Sequence, residues 1–433
     1  MKKILPLFIL FLSSIALHAQ SPDEKIAACL NNSDFFTLDE QYTLLKDSVQ
    51  SPVLKTFSES LLNAVFNRPQ KAFASIDSLI QYHQQDIGFD NVQTMLSWKN
   101  QLLSGQGEYI KADDELSNFI ASIEPYIDSV TLNNYRQLDR INKAMRNIPK
   151  SELIRPDSDC IIDIELEPFE YEGTPMGTTL FVPVAINGEN ERFIFDTGCP
   201  GGAFISEDFA NRHHVKIIYD SLQISGTGTR LGKMGLIDSI SIGNMTYKNL
   251  TAIIAPAVSA VDSIYKVDAV LGLGIMTAAG EVRILPKEKK IIFPIRQTSL
   301  PESGRNILFL SNQVLLKTYS NAERMIMQFD TGNIESDLHY TYYQKHKDEV
   351  ERTGHKESKI SGGFGGVKTI DIYRLPSIPL RVGNKDFRLN DIRVNIDPVF
   401  IKQGKEDGSL GMSFVTLFDK VTINFDKMFV EVE

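Results

Sequence analysis

Two copies of one short motif stand 134 residues apart and carry residue types that suit hydrolytic chemistry. Phe195-Asp196-Thr197-Gly198 recurs as Phe329-Asp330-Thr331-Gly332, and each copy follows a largely apolar segment. Two carboxyl groups held close together do not both ionise easily, so such a pair holds one proton between its members. The ionised member can take a proton from water while the protonated member polarises a carbonyl oxygen. Asp196 and Asp330 are therefore the candidate catalytic residues for amide hydrolysis without metal or cofactor.

Further landmarks around the two motifs predict a duplicated domain. Six landmarks keep the same order in both copies, and their offset drifts only from 134 to 140 residues. Three of the pairs are Ile224-Ser225-Gly226 with Ile360-Ser361-Gly362, Ile242-Gly243-Asn244 with Val382-Gly383-Asn384, and Val270-Leu271-Gly272 with Ser409-Leu410-Gly411. The Gly-Asn pairs predict hairpin turns, and Ser206 and Thr341 are predicted N-caps of a short helix in each copy. Short β-branched and aromatic runs between turns predict two all-β lobes.

These motifs resemble the pepsin and retropepsin superfamily of aspartic proteases, and the two-lobed chain is most similar to bacterial retropepsin-like proteins. The resemblance covers about Asp163 to Glu433. It implies that each lobe is a small β barrel and that the two Asp-Thr-Gly turns meet at the lobe interface. It also implies that an apolar-apolar-Gly segment, ending at Gly272 or Gly411, packs beneath each turn.

The other residues of the two turns are predicted to support the carboxyl pair. By resemblance, Thr197 and Thr331 hydrogen-bond across the interface and lock the carboxyl groups into one plane. Gly198 and Gly332 let backbone amides approach the carboxyl groups without a Cβ clash.

Two positions depart from the pepsin pattern, in which Ser or Thr often follows Asp-Thr-Gly. Here Cys199 and Asn333 take those places. Because a thiol is a weak hydrogen-bond donor, we expect an activity optimum nearer neutral pH than that of pepsin. Cys199 as a nucleophile is the weaker alternative, since no paired His is indicated. His213 and His214 are interpreted as a solvated helix end rather than a metal site, so no metal is predicted.

Glycine-rich stretches in both lobes are typical of flaps that close over an extended substrate. Backbone groups of such flaps can hydrogen-bond a peptide as an added strand. A phosphate-binding loop is excluded because no Gly-Lys-Ser/Thr follows, and the alternative is surface hairpins without a role. The first lobe has no tyrosine between Ile224 and Gly235, which places it nearer the retropepsins than pepsin. The flap candidates are Gly226, Thr227 and Gly228 in the first lobe and Gly362, Gly363 and Phe364 in the second.

Before the duplicated region, from about Phe35 to Ile148, apolar residues recur at helical spacing with short turn-forming breaks. A weak 37-residue repeat within it loosely resembles tetratricopeptide helical hairpins. This predicts an α-helical domain that either docks a protein partner or supports the catalytic part. Its single tryptophan, Trp98, is predicted to lie in the helical core.

The N-terminus has the pattern of a secretory signal peptide. Lys2 and Lys3 precede an apolar run from Ile4 to Ala16, which is shorter than the roughly 20 residues that a membrane span needs. We therefore expect an exported protein, periplasmic or secreted. The predicted organisation is a signal peptide (1–19), a helical domain (20–150) and protease lobes at 160–297 and 306–433, with Arg155-Pro156-Asp157 as the linker.

Composition narrows the partners and the compartment. The 433 residues include 45 basic and 55 acidic side chains, a formal charge of −10 that disfavours binding to nucleic acid. Three cysteines, Cys29, Cys160 and Cys199, are too few for a disulfide scaffold, although a Cys29–Cys160 bond is left open. The sequence predicts an exported aspartic endopeptidase acting on polypeptides. The alternative is a non-catalytic peptide-binding or scaffold protein that keeps the same fold.

Overall fold

The computed structural model describes residues 20–171, 173–225, 229–256, 267–363, 366–397 and 406–433. Two compact units, Met1–Ile148 and Pro149–Glu433, are described separately. The first unit is helical, as the sequence predicts. Its helices are α1 (Pro22–Asn31), α2 (Phe35–Leu45), α3 (Pro52–Val65), α4 (Pro69–Ile87), α5 (Phe89–Gly105), α6 (Tyr109–Ile123) and α7 (Ser129–Met145), with a 3₁₀ turn at Glu124–Tyr126.

Local sequence sets where these helices begin. Proline is the first residue of α1, α3 and α4, a position where its missing N–H costs no hydrogen bond. Ser21 and Glu24 form a reciprocal capping box at α1, with bonds of 3.2 and 2.8 Å. Consecutive helices pack on one another, while the tetratricopeptide resemblance stays a prediction.

The core of the helical unit contains apolar side chains and one buried lysine. Lys99 is 4% exposed and is neutralised by Asp77 and by Glu115 at 2.7 Å. Trp98 is only half-buried and meets Phe35 edge to face at 6.3 Å, so it lies at the margin of the core rather than in its centre. No helix within the described ranges is long and apolar enough to span a membrane.

The second unit consists of strands with short helices between them. Its first lobe contains β1 (Glu152–Ile154), β2 (Cys160–Asp163), β3 (Glu165–Tyr171), β4 (Thr174–Ile186), β5 (Glu189–Phe195), β6 (Ala203–Ser206), α8 (Glu207–Arg212), β7 (Lys216–Ser225), β8 (Thr229–Ile242), β9 (Met245–Ala255), β10 (Ala269–Leu271), α9 (Leu273–Ala279), β11 (Glu281–Leu285) and β12 (Lys290–Phe293). The second lobe contains β13 (Ile307–Leu310), β14 (Gln313–Ser320), β15 (Glu323–Phe329), β16 (Asp337–Leu338), α10 (Tyr340–Thr353), β17 (His355–Gly363), β18 (Gly366–Val382), β19 (Lys385–Asn395), β20 (Gly408–Leu410), α11 (Met412–Val415), β21 (Val421–Asn424) and β22 (Phe429–Val432).

The two lobes repeat one sheet topology, which confirms the predicted all-β duplication. In the first lobe the pairings run β3-β4-β5-β10-β6-β9-β8-β7, with a further pairing of β4 with β8 and with β1 beside β9. In the second they run β13-β14-β15-β20-β16-β19-β18-β17, with a further pairing of β14 with β18. In each lobe the strand before Asp-Thr-Gly pairs in parallel with a three-residue strand, β5 with β10 and β15 with β20. The predicted hairpin turns are also present, with Gly243 at φ +56° and Gly383 at φ +57°, in the left-handed region that glycine tolerates.

A third sheet joins the lobes and was not predicted. Its order is β2-β12-β11-β21-β22, so it contains strands from both copies. The connection is between β11 and β21, where Val282 pairs with Ile423. Beside it, buried Glu281 accepts hydrogen bonds from Asn424 at 2.7 Å and Arg283 at 2.8 Å. The lobes are therefore halves of one folded body rather than independent domains.

Two local predictions need correction. Ser206 does cap α8, since its Oγ accepts a bond from Phe209 N at 3.0 Å. Thr341 does not cap the matching helix, because α10 begins at Tyr340 and its N-cap is His339, whose side chain makes no capping hydrogen bond.

At the predicted linker, the chain has already joined the sheet, because β1 pairs with β9 before Arg155 is reached. All three cysteines are buried, and the Cys29–Cys160 bond, which would join the two units, stays an open alternative.

Candidate active site

Two threonines tie the Asp-Thr-Gly turns of the lobes together. Thr197 N donates to Thr331 Oγ1 at 3.0 Å, and Thr331 N donates to Thr197 Oγ1 at the same distance. Each hydroxyl in turn donates to the strand that precedes the opposite turn, Thr197 to Phe329 O at 2.9 Å and Thr331 to Phe195 O at 2.7 Å. Both threonines are almost completely buried. These four bonds are the cross-interface contacts that the resemblance implied.

The glycines of the two turns each pack against the opposite carboxyl group. A Cβ atom on Gly198 would stand 2.5 Å from Asp330 Cγ, and one on Gly332 would stand still closer to the Asp196 carboxyl group. Side chains do not tolerate such distances, so only glycine lets each turn approach its twin. The interlocked turns bring Asp196 and Asp330 together across the lobe interface.

Each carboxyl group accepts a backbone hydrogen bond from the glycine of its own turn. Gly198 N donates to Asp196 Oδ1 at 2.7 Å, and Gly332 N donates to Asp330 Oδ1 at 3.0 Å. Each aspartate keeps some exposed surface, as a group that must reach substrate requires, while most of its carboxyl group is removed from water.

Burial away from water is the largest cause of the raised pKa values of Asp196 and Asp330. Burial raises the pKa of Asp196, against hydrogen bonds that favour its charged form. Burial also raises the pKa of Asp330, and the charge of Asp196 and the hydrogen bond between the two side chains raise it further, to well above its ordinary value. The pair therefore retains one proton at a pH where isolated aspartates have lost theirs.

The apolar-apolar-Gly segments lie against the two turns, as the resemblance implied. Asp196 N donates to Leu271 O at 3.1 Å, and Asp330 N donates to Leu410 O at 3.0 Å. Gly272 leaves no room for a side chain, since a Cβ atom there would stand 2.5 Å from the Gly201 carbonyl oxygen. Gly411 is as tightly enclosed by the backbone that follows Asp330.

The residues after Asp-Thr-Gly differ between the lobes. Cys199 Sγ lies 3.7 Å from Pro200 O, and burial, with the charges of both aspartates, raises the pKa of Cys199 well above its ordinary value. The thiol is therefore neutral, which disfavours it as a nucleophile. Asn333 N donates to Asp330 Oδ1 at 3.2 Å, while its side chain donates to Ser409 Oγ at 3.4 Å. That bond explains the polar residue in the second apolar-apolar-Gly segment.

Both predicted flaps are antiparallel hairpins up to the limit of the described residues. In the first lobe β7 and β8 pair as far as Ser225 with Thr229, and Gly226, Thr227 and Gly228 lie outside the described residues. In the second lobe Gly362 and Gly363 end β17 and pair with Val367 and Gly366, and Phe364 lies outside the described residues. The contacts of the two flaps with substrate stay a prediction.

His213 contradicts its predicted position at a solvated helix end. Its side chain is 1% exposed, its ring lies 4.4 Å from that of Phe209, and its Nε2 is 2.8 Å from Glu191 Oε1. Glu189 lies 3.7 Å from its other nitrogen, so the three side chains are close enough to hold a metal ion. Hydrogen bonding within the protein explains the cluster. The sequence pattern does not predict this cluster, because both glutamates lie on β5, more than twenty residues from His213.

Two contacts at the site were not predicted. Gln328 Nε2 donates to Asp330 Oδ2 at 3.2 Å, a contact that strand alternation from Asp330 would have suggested.

Strand β4 of the first lobe reaches the backbone after the second turn, where Thr178 N donates to Ile334 O at 3.3 Å. Gly177 precedes it at φ +152°, and a Cβ atom there would stand 2.8 Å from the Ile334 carbonyl carbon. No local sequence pattern predicts a contact between residues this far apart in the chain.

The sequence comparison identifies part of the first lobe. Residues 182–275 match a family model described as aspartyl protease, a span that includes Asp196 and Gly272. No curated protein gave a significant match to the chain. Over these residues the first lobe is therefore similar to the aspartyl protease family, and the duplicated β unit that contains them has the pepsin- and retropepsin-like fold.

Similar solved structures were also found. A retropepsin-like aspartic protease from Rickettsia conorii is 15% identical, over 33% of this chain and 92% of that one, with a TM-score of 0.21. Conglutin gamma, a basic 7S globulin from lupine seeds, is 10% identical over 64% and 95% of the two chains, with a TM-score of 0.40. Basic 7S globulin from soybean is 11% identical over the same shares, again with a TM-score of 0.40. Identities and TM-scores this low carry no inference about activity.

Proposed function

We propose that the duplicated β unit is an aspartic endopeptidase in which Asp196 and Asp330 activate water for attack on a peptide bond. The observation that supports the proposal is the interlocked pair of turns, with each glycine against the opposite carboxyl group and both threonines bonded across the interface. Such a pair carries one proton and one charge, the state that general acid–base hydrolysis requires.

The mechanism follows from that shared proton. The ionised carboxylate takes a proton from a water molecule, whose oxygen attacks the carbonyl carbon, while the protonated carboxyl group donates to the carbonyl oxygen. Collapse of the resulting tetrahedral diol transfers a proton to the leaving nitrogen and breaks the carbon–nitrogen bond. The pair returns to its singly protonated state, and no covalent intermediate forms. Binding of an extended polypeptide between the lobes, under the two hairpins, supplies the substrate.

The test is cleavage of a mixed peptide library by the purified chain between about pH 3 and 8, with products identified by mass spectrometry. The control is the Asp196→Asn/Asp330→Asn double variant, which keeps both side-chain shapes and removes the shared proton. Cleavage by the wild type and none by the control supports the proposal. No cleavage by either across the pH range contradicts it and favours a peptide-binding protein with the same fold.

The raised pKa values of the two aspartates predict a pH optimum above that of a free aspartate pair. The active form of the pair, with one proton, is present between its two pKa values. Because burial raises both pKa values, hydrolysis is expected to peak above the free Asp pKa of about 3.9. Cys199→Ser is expected to move the acid limb of kcat/KM to lower pH, because a hydroxyl beside the carboxylates is a stronger donor than a thiol.

The matched control for that variant is Cys160→Ser. Cys160 is a buried thiol of the same unit that contacts Ile242 O at 3.4 Å, away from the pair, so its substitution should leave the acid limb in place. A wild-type optimum below pH 3.9, or equal shifts in the two serine variants, would contradict this account of the acidity.

We further propose that the chain is exported, on the evidence of the basic and apolar N-terminal residues alone. Residues 1–19 lie outside the described residues, while Ser21 begins a capped helix. Mass spectrometry of the protein from its native cells should find a mature N-terminus near Gln20. Recovery of the intact chain beginning at Met1 would overturn the proposal.

A further inference from the structure

Gln328 contacts the carboxyl pair and has no part in the mechanism above. It precedes Asp330 by two residues in one extended segment, so both side chains lie on the same face. Its Nε2 donates to Asp330 Oδ2 at 3.2 Å. The turn amides of Gly332 and Asn333 donate instead to Oδ1, at 3.0 and 3.2 Å. Gln328 therefore supplies a donor to the second oxygen of this carboxyl group.

A second glutamine fixes the orientation of the Gln328 amide. Gln313 Nε2 donates to Gln328 Oε1 at 3.3 Å. Because an amide accepts through its oxygen and donates through its nitrogen, this bond leaves the Gln328 nitrogen directed at Asp330. Gln313 opens β14, which is paired along β15, so the two amides form a short chain that ends at the carboxyl pair.

The equivalent position in the first lobe cannot make this contact. Ile194 precedes Asp196 as Gln328 precedes Asp330, and the two occupy matching places in the ladders, where Ile194 pairs with Val270 and Gln328 with Ser409. An isoleucine side chain has no hydrogen-bond donor. The described threonines and glycines of the two turns are closely symmetric, so the amide distinguishes two otherwise similar carboxyl groups.

We propose that Gln328 is a positioning residue that orients the Asp330 carboxyl group and favours its ionised form, a role that rests on the proposed function of the pair. A hydrogen bond donated to a carboxylate stabilises the charged form. Because the charge of Asp196 makes Asp330 the second of the pair to ionise, this bond lowers the pH at which the pair releases its remaining proton. Gln313 acts one step further out, by holding the Gln328 amide in the donating orientation.

Gln328→Leu tests the proposal because it removes the donor at similar volume. The alkaline limb of kcat/KM against pH is expected to move upward by about 1 to 2 units, the effect of losing one hydrogen bond to a charged group. Gln313→Leu should move it in the same direction by less. The matched control is Ile194→Leu, which alters the twin position without changing a donor and should leave the limb in place.

Gln328→Glu gives a readout that a purely structural role would not produce. A protonated glutamic acid donates a hydrogen bond as the amide does, whereas an ionised one repels Asp330. The variant should therefore keep the acid limb of the wild type, and the repulsion should move its alkaline limb to higher pH than in Gln328→Leu. A profile parallel to that of the wild type would overturn the proposal.

A direct titration separates this proposal from the proposed function. Carbon-13 NMR of labelled aspartate carboxyl groups can follow the pair in wild type and Gln328→Leu without any substrate. An upward shift of the second ionisation in the variant supports the role of Gln328, even if the wild type hydrolyses no peptide and the proposed function fails. Hydrolysis by the wild type together with superimposable titrations, within about 0.2 unit, overturns the role of Gln328 and leaves the proposed function intact.

Discussion

Asp196→Asn and Asp330→Asn are each expected to lower kcat/KM by about 10³-fold or more, and the double substitution by little more than either. The reason is that the two carboxyl groups share one proton and act as a unit, so loss of either member removes both the base and its acid partner. The measurement is kcat/KM of the three variants on one peptide that the wild type cleaves, at the pH optimum of the wild type.

The matched control is Asp268→Asn, which makes the same chemical change in the first lobe. Asp268 accepts bonds from Ser206 and Arg212 at 2.5 Å and is 44% exposed, so its substitution should leave kcat/KM close to the wild-type value. Multiplicative losses in the double variant would contradict a shared proton. They would indicate two aspartates that act independently.

The sequence predicted those parts of the site that depend on repeated local motifs. The two Asp-Thr-Gly copies, the turn glycines and the segments at Gly272 and Gly411 are each a few residues long, and the duplication relates one copy to the other. The duplication shows only that the two turns are equivalent. That Asp196 and Asp330 meet was implied by the resemblance to the aspartic proteases, not by the repeat itself.

The sequence did not predict features that depend on contacts between distant segments. The third sheet requires β11 of one lobe to pair with β21 of the other, and the strand patterns alone do not specify this partner. The contact of Gly177 with Ile334, like the burial of His213 beside Glu191, also joins residues from separate elements. Thr341 was assigned as a cap because repeat landmarks drift in offset, and an error of two residues moves a cap into the helix.

Gln328 is an intermediate case. Strand alternation places Gln328 on the same face as Asp330 from sequence alone. The duplication, however, indicates which residues the two lobes share, and Gln328 is not one of them. The difference between Ile194 and Gln328 is the asymmetry that a comparison of the two copies would have revealed.

Thr197→Val is expected to destabilise the β unit by about 2 to 5 kcal/mol, and Thr331→Val by a similar amount. Each valine has nearly the shape of threonine but leaves a buried N–H of the opposite turn without its acceptor and a buried carbonyl without its donor. The threonines are 0% and 1% exposed, so water does not readily replace these bonds. Destabilisation should be accompanied by loss of hydrolysis, because the same four bonds set the geometry of the carboxyl pair.

The measurement has to report on the β unit itself. The single tryptophan, Trp98, lies in α5 of the helical unit, so its fluorescence follows the wrong unit. Hydrogen exchange of peptides that cover residues 190–200 and 325–335 reports the opening free energy at the two turns directly. Both regions should lose protection together in either single variant, since each hydroxyl bonds the opposite lobe.

Thr318→Val is the matched control for this pair. Thr318 is also completely buried in the second lobe, but its hydroxyl makes one long bond of 3.4 Å to Met325 O within the same sheet. Its loss should cost less than about 1.5 kcal/mol and should leave protection in the first lobe unchanged. If Thr197→Val cost no more than Thr318→Val, the cross-interface bonds would not be what holds the two turns together. Interlocking of the glycines and the shared third sheet would then have to hold the carboxyl pair in place.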